Sequence, residues 1–142
     1  MKQRTINNIT KYGILFFIGA IVYMGMEIGW RNYTDLSMGI VGGIAFIIIG
    51  LLNEPMHNKP LLPQMFLGSA IITTLELISG IILNIWLKLN IWDYSDMPFN
   101  FLGQICLGAS LLWFLISLIA IVLDDFVRWL LFGEEFPRYK WI

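Results

Sequence analysis

The chain has 142 residues, a net charge of -1, 58% hydrophobic residues and only 13% charged ones. A soluble domain carries about 25% charged residues, so with a mean hydropathy of +0.74 the polar surface of a water-facing globule is missing. The near-neutral balance gives no basis for nucleic-acid binding, and a single cysteine, Cys106, excludes an intramolecular disulfide.

Taken in order, the basic start MKQRTINNITKYG leads into an apolar run without a small-residue cleavage site. It therefore reads as a retained first helix rather than a signal peptide. Helix 1 is predicted over about Tyr12 to Trp30, roughly 28 Å at the helical rise and enough to span a bilayer. Trp30 and Tyr33 mark an interface, as aromatic belts do. Helix 2, about Leu36 to Leu52, is short and Gly-rich, and Asn53, Glu54 and Pro55 stop it. Helix 3 covers about Leu61 to Leu87, followed by a loop with Trp92 and Tyr94 and the breakers Asp96 and Pro98. Helix 4 is predicted from about Phe101 to Leu123, with Asn100 suited to its N-cap. A separate amphipathic segment from Asp124, with Phe126, Trp129 and Leu130 opposite Asp125 and Arg128, is expected to lie in the interface plane.

The fold class expected is therefore all-α, a polytopic membrane protein with four transmembrane helices in a single domain. Four spans put both ends on one side. Lys2, Arg4, Lys11, Lys59, Arg128, Arg138 and Lys140 fall there, against Arg31 and Lys88 opposite. The positive-inside bias makes both termini cytoplasmic in the cell membrane. An offset of 49 residues carries Phe17 onto Phe66, Gly19 onto Gly68 and Glu27 onto Glu76. Two tandem parallel hairpin repeats are thus expected, about 12–53 and 61–123, with the tail at 124–142.

Lipid supplies little hydrophobic force between helices, so small and polar residues mark the packed faces. Gly103, Cys106, Ser110, Trp113, Ser117, Ala120 and Asp124 form such a stripe on helix 4. Ser69, Thr73, Glu76 and Gly80 form one on helix 3; Gly39, Gly43, Phe46 and Gly50 on helix 2; Gly19, Tyr23, Glu27 and Arg31 on helix 1. Packing alone accounts for most small residues of this kind, and Trp113 reads either as core filler or as a pocket wall.

Two carboxylates stand inside apolar helices, Glu27 and Glu76. A charge near the bilayer centre costs roughly 2.5–3.5 kcal/mol on insertion scales, so each seeks a partner. Arg31, four residues after Glu27, can pair with it, and Glu76 is expected to share that arginine across the bundle. The cluster reads as a pocket for a cation, an amine or a proton, or as a salt-bridge group that fixes the pairing of the repeats. Asp93, Asp96 and Asn100 are expected near the pocket mouth. There is no G-x-x-x-x-G-K-[ST] motif, and His57 stands alone in a loop, so no catalytic residue is assigned. Glu27 and Glu76 lack an accompanying His/Cys cluster, and neither a metal nor a cofactor is expected.

The segments MGMEIGWR, TTLELISGIILN and WDYSDMPFNFLGQICLGASLLWF resemble the small bacterial membrane proteins of the ABC-transporter type IV, or CmpB-like, family. The resemblance runs from helix 1 to about Trp129. Its pattern falls on Glu27, Trp30, Glu76, Gly80, Trp92, Asp93, Tyr94, Asn100 and Gly103, and it implies a multispanning membrane protein. Four helices are few for an ABC permease, and the 53–63 loop is short for docking an ATPase. The candidate site is Glu27, Arg31, Glu76, Trp92, Asp93, Tyr94, Asn100 and Trp113. The expected function is a small transport or ligand-binding membrane protein, not an enzyme. The alternative is an accessory or assembly subunit of a membrane complex. The partners expected are the lipid bilayer and a second copy of the chain or another membrane subunit, with no nucleic acid. A lipid-directed enzyme using the acids and Asp93 is the weakest reading, since no nucleophile, metal set or base pair is visible.

Overall fold

A computed structural model describes residues 7–142; Lys2 and Arg4, two of the basic residues counted above, lie outside them. Four long helices make up the fold: α1 (Asn8–Arg31), α2 (Leu36–Asn53), α3 (Leu61–Gly80) and α4 (Leu107–Phe132). With the 3-10 turn Glu54–Met56 extending α2 and the π-helical turn Ile81–Trp86 extending α3, each is long and apolar enough to cross a membrane. This is an all-α, multi-pass membrane protein. The start of α1 and the end of α4 meet at one end of the bundle, where Lys11 pairs with Glu134. The loop between the π-turn and α4 covers the other end.

Helix starts follow local chemistry. The Asn7 side chain accepts the Ile9 N–H at 3.1 Å, so α1 begins four residues before the expected Tyr12. Asp35 accepts the Ser37 N–H at 2.9 Å and starts α2. The Ser37 hydroxyl and N–H hold the Asp35 carboxyl below its ordinary range. Pro60 offers α3 no side-chain cap. The C-terminal chain does this instead: the Lys140 carbonyl accepts the Leu61 N–H at 2.7 Å and the Trp141 carbonyl that of Leu62 at 3.4 Å.

Three expectations about α4 are corrected. It starts at Leu107, because Asn100–Phe101 and Ile105–Cys106 pair as a two-residue antiparallel ladder (β1, β2) ahead of it. Its N-cap is Cys106, whose Sγ accepts the Ala109 N–H at 3.4 Å, and not Asn100. The helix also runs on through Asp124 to Phe132, so no separate amphipathic segment begins there. Asp124, Asp125 and Arg128 turn inward and find partners, whereas Phe126, Trp129 and Leu130 face outward. Gly133, at φ +69°, ends α4 in the left-handed region and returns its N–H to the Arg128 carbonyl.

The hairpins α1–α2 and α3–α4 each pack internally, and α2 joins them by touching both α3 and α4; α1 meets α4 only weakly. Small residues let backbones approach, as expected where lipid supplies little hydrophobic drive. Gly42 and Gly43 lie against Tyr23 and Phe16; a Cβ on Gly43 would stand 2.8 Å from the Phe16 carbonyl oxygen. Along the α3–α4 seam Ser69 Oγ donates to the Ser110 carbonyl at 2.6 Å, and the Thr73 and Ser110 hydroxyls are 2.9 Å apart.

Candidate functional site

Glu76 sits on the α3 face whose buried positions, Gly68, Ile72, Glu76 and Gly80, recur at four-residue steps. It is 5% exposed. One carboxylate oxygen accepts the Tyr94 hydroxyl at 2.8 Å and the other accepts the Trp113 indole N–H at 2.9 Å. Among the described residues no cationic side chain pairs with it. The expectation that it shares Arg31 is therefore corrected. Arg31 is committed to Glu27 at 3.0 Å and donates to the Ile91 carbonyl at 3.2 Å. Glu27 also accepts the Thr34 hydroxyl at 3.3 Å.

A cavity of about 230 Å³ nevertheless joins these groups. Glu27, Arg31, Glu76, Trp92, Tyr94 and Trp113 all line it, with Tyr23, Trp30, Met26 and Met38 completing much of the wall. The rings of Tyr23 and Trp113 lie 6.1 Å apart, tilted by 36°. Burial and the adjacent Glu76 carboxylate push the Tyr94 phenol far above its ordinary value, so it remains a hydrogen-bond donor.

Asp93 and Asn100 do not line the cavity. Asp93 is exposed and accepts the Ser95 N–H at 2.8 Å; the Ser95 hydroxyl and N–H hold its carboxyl below the ordinary range. Asn100 donates to the Met97 and Ser95 carbonyls, at 2.8 and 3.2 Å, and accepts the Gly103 N–H at 3.1 Å. Both shape the loop that roofs the cavity: they satisfy backbone groups that a turn leaves unpaired.

That roof is pinned by two residues that sequence reasoning missed. Asn84, on the π-turn, donates to Gln104 Oε1 and accepts the Ile91 N–H, each at 2.8 Å. The Gln104 carbonyl accepts the Trp92 indole N–H at 3.0 Å. Tyr94 is fixed by its own N–H on the Gly103 carbonyl at 2.7 Å, which directs its hydroxyl down to Glu76. π-turns are frequent at functional sites. The signal was present, since Asn84 continues the Glu76–Gly80 step by four residues.

A second polar group, also missed, lies at the opposite end. Arg128 and Asp124, 2% and 1% exposed, pair at 2.8 Å. Glu54 and Glu134 approach Arg128 at 3.7 and 3.6 Å. Asp125 accepts from Asn53 at 3.2 Å and from the Tyr139 hydroxyl at 2.8 Å, and His57 Nε2 stands 3.3 Å away. His57 is thus not isolated, as its loop position suggested. Burial, then the hydrogen bond to Asp125, raises the Tyr139 phenol well above its ordinary value.

The chain belongs to the family described as Putative ABC-transporter type IV, whose model matches residues 14–132. That span takes in the Glu76 cavity, the roof between the π-turn and α4, and the second polar group except Glu134 and Tyr139. No curated protein and no solved structure matches the chain. Among the described residues no group of three or more His, Cys, Asp and Glu side chains could hold a metal ion.

Proposed function

We propose that this protein is a small, non-enzymatic transport or ligand-binding membrane protein, and that the cavity at Glu76 takes a small monovalent organic cation. One observation carries the reading: a carboxylate buried within an apolar helix, held by two neutral donors, opens on a cavity and has no counter-ion among the described residues. Ionisable groups inside a membrane are costly and commonly mark ligand or ion paths. Glu27 and Arg31 neutralise each other, so Glu76 supplies the unmatched charge. The surrounding Trp and Tyr faces suit a cation, which aromatic rings attract.

The test is thermal stabilisation of the purified protein by short alkylammonium ions. A ligand present at 100 times its Kd stabilises by about 2.7 kcal/mol. Wild type should show a saturable rise in melting temperature that Glu76→Gln loses. Equal behaviour of the two proteins would reject the site.

The family description favours a second reading, an accessory subunit. The chain has no P-loop motif, so ATP-driven transport would need a separate nucleotide-hydrolysing partner. Stable co-purification of such a protein would support it.

The basic bias supports a cell-membrane orientation with both termini cytoplasmic. A Cys106→Ser background suits labelling, because serine is also a favourable N-cap. In intact cells an impermeant thiol reagent should modify a cysteine placed at Ser95 and spare one at Asn58. The reverse pattern would invert the topology.

A further inference from the structure

We propose that the ligand is amphipathic, with an ammonium head at Glu76 and an alkyl chain lying in a lipid-facing groove between α1 and α4. The proposal rests on the reading of the Glu76 cavity given above.

The cavity does not end at Trp113. Tyr23, Met26, Met38, Glu76, Trp113 and Ile116 also line a second, narrower void of about 60 Å³. It continues between α1 and α4, past Val22 on one side and Ile119, Ala120 and Leu123 on the other, over Ala45 and Phe46 of α2. From Trp113 to Leu123 the α4 wall extends about 15 Å at the helical rise. Val22 and Ile119 are 36% and 54% exposed, so the groove opens sideways where lipid lies. The opening exists because α1 packs on α2 and hardly touches α4.

The two parts differ in chemistry. At the upper end stand a carboxylate without a counter-ion and several aromatic faces. Below Glu76 the walls named above carry no hydrogen-bonding side chain. Ser79, which also lines the void, turns its hydroxyl back onto the Leu75 carbonyl at 2.6 Å. An ordinary lipid chain could fill the groove, but a phosphate head would meet Glu76 with like charge. A small hydrophilic cation would match Glu76 and leave the groove unused. A single-chain ammonium amphiphile satisfies both parts and reaches them directly from the bilayer.

The experiment measures equilibrium binding of n-alkylammonium ions, ethyl to octyl, to the full chain in nanodiscs of zwitterionic phospholipid, with the signal of empty discs subtracted and affinities referred to the free ligand in water. Burying one methylene tightens binding about fourfold, so octylammonium should bind wild type at least about a hundredfold more tightly than ethylammonium. Ala120→Phe, which fills the groove, should collapse that preference to about tenfold or less. Val22→Phe does the same from the opposite wall and keeps the test decisive should one variant fold poorly. Octanol, with the chain but no charge, should bind far more weakly than octylammonium. Glu76-dependent binding with no chain-length preference, or a preference that survives both groove variants, would overturn the amphiphile and leave the cation site standing. Binding indifferent to Glu76→Gln would instead remove the cation site itself.

Discussion

Glu76 and Asp124 are 5% and 1% exposed, each on the inward face of a membrane-spanning helix, yet their surroundings differ. Asp124 has Arg128 at 2.8 Å, with Glu54 and Glu134 on the far side of the same guanidinium. Gly50 leaves the space its carboxylate occupies: a Cβ there would lie 2.5 Å from Asp124 Oδ1. Glu76 has only the N–H of Trp113 and the O–H of Tyr94, and beyond them open volume. A buried charge that meets its counter-ion in a filled space holds helices together. One that meets neutral donors beside a void has capacity left for a ligand. Burial alone does not separate the two; the partner and the empty volume do.

The largest effect should come from the filled end. Arg128→Met leaves Asp124 without its ion-pair partner inside the bundle, and breaking such a pair commonly costs about 3–5 kcal/mol. Replacing both members, as Asp124→Leu with Arg128→Met, should recover much of that loss, since a buried pair exchanged for apolar side chains is often near neutral. Thermal melts in one detergent would measure both. A single variant as stable as wild type would show that the pair contributes nothing to the contrast.

The sequence made the broad architecture legible because it rests on long apolar runs: all four spans are present, and the α2 bounds and the start of α3 lie within a residue of the expected positions, whereas α1 starts four residues early and α4 is displaced at both ends. What was lost at the ends has one cause. The expected helix 3 stripe ends at Gly80, one step short of Asn84, which pins the roof. The expected helix 4 stripe ends at Asp124, one step short of Arg128, which closes the filled end. In both cases a local cue, a long loop ahead or a run of charges, masks a periodicity that the backbone continues. The roof itself was hidden because its contacts join Tyr94 to Glu76 and Gln104 to Asn84 across 18 and 20 residues, and no periodicity reports such pairs.

An intermediate effect is expected from the C-terminal chain, which serves only the filled end. Removing residues 137–142 strips the carbonyl caps from Leu61 and Leu62 and the Tyr139 hydroxyl from Asp125. A lost helix cap costs about 1 kcal/mol, and a hydrogen bond to a charged group contributes about 1.5–3 kcal/mol, so the sum is about 2.5–4 kcal/mol. Tyr139→Phe isolates the second part. Because none of these contacts reaches the cavity, alkylammonium affinity should hold while the melting temperature falls. A parallel loss of binding would mean that the two ends are coupled, and the contrast between them would weaken.

The smallest stability change should be that of Glu76→Gln, although this variant is expected to abolish ligand binding. Glutamine keeps the shape of the side chain. Its carbonyl oxygen can still accept the Trp113 N–H, and its amide can donate to the Tyr94 oxygen, since a phenol accepts as well as donates. What is lost is the extra strength of two bonds to an ionised acceptor, roughly 1 kcal/mol each. What is gained is relief from holding a charge within the membrane, about 2.5–3.5 kcal/mol on insertion scales. The two largely cancel, leaving a change of about 0.5–1.5 kcal/mol on the stabilising side. For a protonated carboxyl both terms vanish and the change is near zero, so neither charge state predicts a loss. The measurement is the melting temperature of the ligand-free variant beside wild type, in the same detergent as the Arg128→Met series. A loss comparable to that of Arg128→Met would make Glu76 a structural member of the bundle like Asp124, and the open volume beside it would then be incidental to its charge.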